Sequence, residues 1–266
     1  MKTKKTKVLR WELGSAPIEK RDYLAAEEPL EIRVDNHRVS VTMRTPGNDD
    51  ELAVGFLLSE GLIHRRADVA KIAPHPRNKD KNVTNVFLGI DVALKLEEVT
   101  RRVFVSSSCG LCGKESIESV HQHFAPLSKK ISVDAKILLT LPEKLRASQE
   151  TFDQTGGLHA AAIFDLKGKL IILREDVGRH NAVDKVLGHC FLNGIFPLTD
   201  HVLMVSGRAS FEILQKALSA KVPVICAVSA PSSLAVEFAR ESKQTLVGFL
   251  RGERMNIYSM PGQIRF

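Results

Sequence analysis

Two features of the sequence predict an α/β fold. In the second half, apolar stretches alternate with amphipathic ones, as in HVLMVSGR before ASFEILQKALSA and VPVICAVSA before PSSLAVEFARES. This order predicts a sheet with largely parallel pairing, covered by helices. The first third instead carries strand-like stretches separated by short turns, which predicts a β-rich N-terminal part. With 266 residues, 44% of them hydrophobic and 26% charged, the chain can bury a sizeable core.

Taken in order, EPLEIRVD (28–35) and HRVSVTMR (37–44) are separated only by Asn36 and read as a hairpin or tight turn. In TPGNDDELAVGFLLSEGLI, one of Asn48, Asp49 and Asp50 caps a helix on which Leu52, Phe56 and Leu57 recur at helical spacing. NVTNVFLGIDVAL (82–94) and EVTRRVFVS (98–106) read as two further strands, and KESIESVHQHF (114–124) as a helix. LHAAAIFD (158–165) and KLIILREDV (169–177) flank an LKG turn and should pair. RHNAVDKVLGHCFLNG reads as a helix closing at Gly194, and the two strand–helix units follow it. The last element, TLVGFLRGERMNIYS, reads as a strand interrupted at Gly252. The change of character near residues 126 to 133 divides the chain into a β-rich subdomain, 1–128, and an α/β domain, 129–266.

Charge and cysteine usage narrow the partners. Lys and Arg number 38 against 31 Asp and Glu, a formal charge of +7 that favours an anionic partner. Aromatic content is only 6%, with no alternation of basic and aromatic residues, which argues against a nucleic-acid stacking platform. No apolar run approaches the ~18 residues of a membrane helix. MKTKKTKVLRWEL is basic but lacks a following apolar region, so a secretory signal is not expected. Four cysteines do not make the disulfide framework of a small secreted protein, and a reducing cytoplasm is the expected compartment.

Two of those cysteines lie together in VFVSSSCGLCGKESIE (103–118). A thiol is a nucleophile only as thiolate, and a helix N-terminus or nearby cations lower its pKa from ~8.5. Ser106 to Ser108 and Lys114 place Cys109 and Cys112 at the expected start of a helix, with Arg101 and Arg102 close in sequence. Gly110 and Gly113 leave the loop open to a partner. Three readings stand at this point: a reactive thiol pair, half of a metal site, and a plain loop. A structural zinc site needs four ligands, and His121 and His123 lack the spacing of a finger. Cys226, in the strand VPVICAV, reads as a buried, inert thiol.

SSCGLCGK, TGGLHAAAIFD, REDVGRHNAVDKV, SGRASFEIL, SAPSSLAVEFA and VGFLRGERMNIYS, in that order, resemble the FdhD family, the formate dehydrogenase accessory sulfurtransferases. The resemblance runs from about Arg33 to Tyr258. It implies a sulfur carrier that takes sulfur from a cysteine desulfurase as a persulfide. The sulfur would pass to the molybdenum or tungsten bis-guanine-dinucleotide cofactor before that cofactor enters formate dehydrogenase. On this chain Cys109 matches the persulfide-forming cysteine and Cys112 its neighbour. Phe249, Leu250, Arg251, Gly252, Glu253 and Arg254 match the cofactor-binding stretch, where arginines can pair with phosphate and the glycine permits close approach. The resemblance also implies a homodimer, no resident metal, and a cytidine-deaminase-like layered α/β domain. The competing reading is a cofactor-binding chaperone in which the cysteines only shape a loop.

The deaminase likeness raises zinc chemistry, which needs His-x-Glu and Pro-Cys-x-x-Cys. Here His159-Ala160-Ala161 and His180-Asn181-Ala182 lack the glutamate, and the Cys-x-x-Cys precedes both without a proline. Glu175, Asp176, Arg179, His180 and Asp184 crowd a strand-to-helix junction, where binding sites and ion-pair networks both occur. Ser206-Gly207-Arg208 and Ser229 to Ser233 follow strands and open helices, so they can cradle phosphate or simply cap.

Overall fold

The structure is a computed structural model that describes residues 1–74, 82–90, 92, 124–129 and 131–266. Cys109, Cys112, the strand expected over 98–106 and nearly all of the helix expected over 114–124 lie outside the described residues.

The chain opens with a hairpin that sequence periodicity does not reveal, β1 (Thr3–Arg10) against β2 (Ile18–Ala25). Its side chains are mostly exposed, so no apolar face marks the strands. The expected pair follows as β3 (Glu28–Val34) and β4 (His37–Arg44). Asp35 and Asn36 join them with φ of 47° and 69°, the left-handed values of a two-residue hairpin turn. Helix α1 (Asp49–Ser59) starts after Asn48, whose side chain makes no capping bond. Asp49 instead holds the buried Arg44 through two hydrogen bonds of 2.9 Å. With β5 (Val69–Pro74) and β6 (Val83–Leu88), the first sheet has the order β4-β3-β6-β5. Strand β6 ends well before Leu94, since Gly89 turns its N–H to the Asp68 carbonyl.

A short strand, β7 (Val133–Asp134), leads into α2 (Ala135–Ala147) and α3 (Glu150–Thr155), two helices absent from the sequence reading. Pro142 interrupts the expected pattern, yet Leu138, Leu141 and Leu145 form a buried stripe and Asp134 caps the start. Then come β8 (His159–Asp165), β9 (Leu170–Asp176), α4 (Arg179–Leu192), β10 (His201–Val205), α5 (Phe211–Ser219), β11 (Val224–Ala227) and α6 (Ser233–Glu241). The chain closes with β12 (Thr245–Arg251), β13 (Arg254–Ile257) and β14 (Ile264–Arg265).

The main sheet has the order β13-β12-β11-β10-β8-β9. It is mixed rather than largely parallel: only β10–β11 and β11–β12 pair in parallel, and β8 runs against both neighbours. The closing element is two strands, because Gly252, at φ 56°, reverses the chain into a hairpin. Alternate residues along each strand enter different layers. Ala161, Ile163, Leu203 and Val205 pack with α4, α5 and α6. Ala160, Ala162, Phe164 and Met204 pack with the α2 stripe. The helix-side core continues through α1 into Leu30, Ile32, Val34 and Val86 of the first sheet.

Candidate functional site

The strand directions bring one set of ends together. Pairing of Val205 with Ala161, and of His159 with Asp176, puts the start of β8 beside the ends of β9 and β10. The ends of β11 and β12 join this edge through their parallel pairing. In α/β sheets the loops at the carboxyl ends of strands are where ligands bind.

Three loops are tied to one another there. Ser206 donates its N–H to the Ala160 carbonyl and accepts the Ala160 N–H on its hydroxyl, both at 2.9 Å. Ala209 bridges to Pro231, and Phe249 donates its N–H to the Ser229 carbonyl at 3.1 Å. Gly207 lies flat against His159: a Cβ there would stand 3.3 Å from Nδ1. Ser232 caps α6 by accepting from the Ala235 N–H at 3.3 Å, so that serine has a structural role.

Within the FLRGER stretch the six residues part ways. Leu250 is fully buried in the α2-side core, and Phe249 holds a left-handed φ of 50°. Arg251, Gly252, Glu253 and Arg254 are exposed at the β12–β13 turn, with the Arg251 guanidinium 6.0 Å from the Phe249 ring centroid. Arg251 and Gly252 line a cavity of about 950 Å³, whose other walls include Arg146, Gln149, Phe152, His159 and Ser206.

His159 also lines a second cavity, of about 480 Å³, between β4, α1 and the start of α4. Arg179, His180 and Lys216 face it. Burial and the neighbouring Arg179 push His159 below the ordinary histidine range, against the pull of Asp176, so it is neutral at physiological pH. His180 is pushed down to about 3 by burial, Lys216, Arg179 and His159.

The acidic residues of the strand-to-helix junction are structural. Asp176, wholly buried, accepts from the N–H groups of Thr45 and Gly178, from Asn181 Nδ2 and from Lys185 Nζ at 2.7 Å. Asp184 pairs with Lys216 at 2.9 Å and accepts from Ser59 Oγ at 2.7 Å. Glu175 accepts from the Thr151 and Phe152 N–H groups and so caps α3. Arg179 and His180 line the smaller cavity, with His180 Nε2 3.1 Å from Ser210 Oγ and its Nδ1 3.4 Å from a Glu212 carboxylate oxygen.

Cys190 and Cys226 are both fully buried. Burial pushes Cys190 up to about 12 and raises Cys226 as well, so neither forms a thiolate at neutral pH. The sequence reading missed Arg146, Gln149 and Phe152 entirely. Pro142 hides the helix that carries the first, and only the tertiary fold turns α3 toward the sheet edge.

A sequence-family profile described as FdhD/NarQ family matches residues 25–265. Proteins named sulfur carrier protein FdhD are similar along nearly the whole chain. That of Mycobacterium bovis is 50% identical, covering 93% of each chain. The Streptomyces coelicolor protein is 47% identical over 97% of this chain and 94% of its own. That of Sulfurisphaera tokodaii is 43% identical over 97% and 98%. A crystal structure from Desulfotalea psychrophila, provisionally described as a formate dehydrogenase accessory protein, has the same fold, with a TM-score of 0.81 over all of both chains at 24% identity. The chain belongs to the FdhD/NarQ family.

Proposed function

We propose that this protein is a sulfur carrier working through a persulfide on Cys109. The observation that carries the reading is the state of the other thiols. Of four cysteines, Cys190 and Cys226 are sealed and held protonated, which leaves Cys109 and Cys112 to hold any transferred sulfur. The names of the family relatives point to the same chemistry.

In the first step the Cys109 thiolate attacks the terminal sulfur of a cysteine desulfurase persulfide. One S–S bond forms, the donor's S–S bond breaks, and the donor leaves as a thiolate. In the second, Cys112 attacks the inner sulfur of the Cys109 persulfide. Hydrosulfide leaves with the electron pair, and a Cys109–Cys112 disulfide remains for a cellular thiol to reduce. The acceptor is the molybdenum or tungsten bis-guanine-dinucleotide cofactor, bound as substrate and destined for formate dehydrogenase. Arg251 and the open backbone of Gly252 on the larger cavity support phosphate binding there. A cytoplasmic homodimer is part of the same reading. So is a cytidine-deaminase-like domain, supported by the β9-β8-β10-β11-β12 order with helices on both faces.

The test is mass spectrometry of the intact protein after incubation with a cysteine desulfurase and cysteine. Wild type should gain one sulfur atom, lost on reduction, and Cys109→Ala should not. A wild-type protein that gains nothing ends the carrier reading. If Cys109→Ala still restores formate dehydrogenase activity in cells, the protein is a binding chaperone instead.

A further inference from the structure

Among the described residues, most of the large apolar side chains that stand exposed belong to one element, the hairpin of β1 and β2. Leu9, Trp11, Leu13, Ile18, Tyr23 and Leu24 are all open to solvent, Trp11 at 60% and Leu13 at 92%. A two-stranded ribbon alone buries too little to be stable in water, so surface of this kind calls for something to cover it.

The hairpin is fixed at its base. The Ala26 N–H donates to the Lys2 carbonyl at 2.8 Å, and Lys4 pairs with Glu28 at 3.6 Å. Farther out, Lys7–Glu19 and Arg10–Glu12 are ion pairs within the hairpin itself. Apolar and charged residues are sorted along its length. At the tip, Leu9, Trp11, Leu13 and Ile18 flank a turn in which the Ser15 N–H and hydroxyl donate back to the Glu12 carbonyl. Toward the base, Lys7 stands directly opposite Arg21, with Lys5 next on the same face. Like charges directly opposite one another weaken a ribbon, and an anionic surface laid across them would relieve the strain. Residues 1–25 hold seven Lys and Arg against three Asp and Glu, and so carry four of the chain's seven net positive charges.

An apolar tip ahead of a cationic stem matches an anionic lipid surface, where Trp settles among the headgroups and Lys and Arg meet phosphate. A protein partner fits less well. The end of a ribbon with strands about 5 Å apart is far smaller than the ~800 Å² that a stable interface takes from each side. A second copy is disfavoured too, because a chain of charge +7 repels another cationic stem. We infer that the β1–β2 hairpin docks this protein on anionic membranes, its tip in the headgroup region and its stem against the phosphates. Entry is shallow, about 5 to 10 Å, as for interfacial helices. The inference does not depend on the sulfur-carrier reading.

Trp11 is the chain's single tryptophan, so its fluorescence reports on the tip directly. The experiment is titration of the full-length protein with vesicles of phosphatidylcholine alone and of phosphatidylcholine mixed with phosphatidylglycerol. The anionic vesicles alone should shift Trp11 emission to the blue, and lipids brominated on their acyl chains should quench it. Leu9→Ser with Leu13→Ser should weaken binding roughly ten-fold or more, and so should Lys5→Ala with Lys7→Ala. Added salt should release the protein. These side chains are exposed, so both double variants should melt with wild type, which separates lost docking from lost folding. Unchanged Trp11 emission with anionic vesicles overturns the inference, and so does full-strength binding by both double variants. A dimer in light scattering that dissociates on Leu9→Ser with Leu13→Ser, without vesicle binding by wild type, assigns the tip to a second copy instead. Trp11 emission that answers to single-stranded RNA and not to vesicles overturns it likewise.

Discussion

Gly188 of α4 and Gly55 of α1 put their helices in backbone contact. A Cβ on Gly188 would stand 2.8 Å from the Gly55 amide nitrogen and 1.9 Å from the Glu51 carbonyl oxygen. One on Gly55 would stand 1.8 Å from the Asp184 carbonyl oxygen. This crossing docks the first sheet onto the helical layer. Alanine is the better helix former by about 1 kcal/mol, but here the backbone has nowhere to go. Gly55→Ala and Gly188→Ala should each lower stability by about 2 kcal/mol or more through overpacking, read as a drop in the urea midpoint. A rise in midpoint would show that the helices separate freely.

Asp176 is a buried link between the β4–α1 connection and α4. It binds groups from Thr45, Gly178, Asn181 and Lys185, with Lys185 Nζ also donating to the Thr45 carbonyl at 2.8 Å. Asp176→Ala strands the Lys185 ammonium in a buried place and should cost about 3 to 5 kcal/mol in denaturant unfolding. Pairing it with Lys185→Met should recover a good part of the loss, since the cost is mainly that of an unpaired charge.

The buried histidines should make stability fall on mild acidification. His180, at about 3 in the fold against 6.5 for an unperturbed group, stays neutral where the unfolded chain is protonated. His159 and His201 are lowered in the same direction, each chiefly by burial. At these histidines the unfolded state binds more protons below pH 6.5, which lowers stability as pH falls from about 6.5 toward 3; Asp184, raised to about 6 by burial, opposes them because the fold binds its proton first. For His180 the slope is up to about 1.4 kcal/mol per pH unit. Denaturation midpoints between pH 7 and 5 check this, and His180→Asn should flatten the curve.

Native alkylation with iodoacetamide should label Cys109 and Cys112 and spare Cys190 and Cys226, which are fully buried. Peptide mapping reads the sites directly. Unfolding in guanidinium should open all four. Rapid native labelling of Cys190 or Cys226 would undo the elimination that points to the Cys-x-x-Cys pair.

Most strands and helices were legible in the sequence because their apolar spacing is local. The pair around Asn36, the hairpin at the LKG turn, and the helices at 179–192, 211–219 and 233–241 all appear where periodicity put them. Elements without that signature went unseen. The first hairpin buries almost nothing, and α2 carries Pro142 in its interior. The closing strand was read as one piece because Gly252 looks like an interruption until β13 folds back on β12.

By itself, the sequence determined the alternation of strands and helices, the thiol pair and the string of motifs that carry the family resemblance. Only the tertiary structure decided which acidic residues are spent on capping and ion pairs, which cysteines are sealed, and that Gln149 faces a cavity from a different segment than Arg251. Local spacing sets secondary structure within a few residues. Burial and the partners of a polar group depend on chain segments a hundred residues away, and those are brought together only when the sheet edges and helix crossings form.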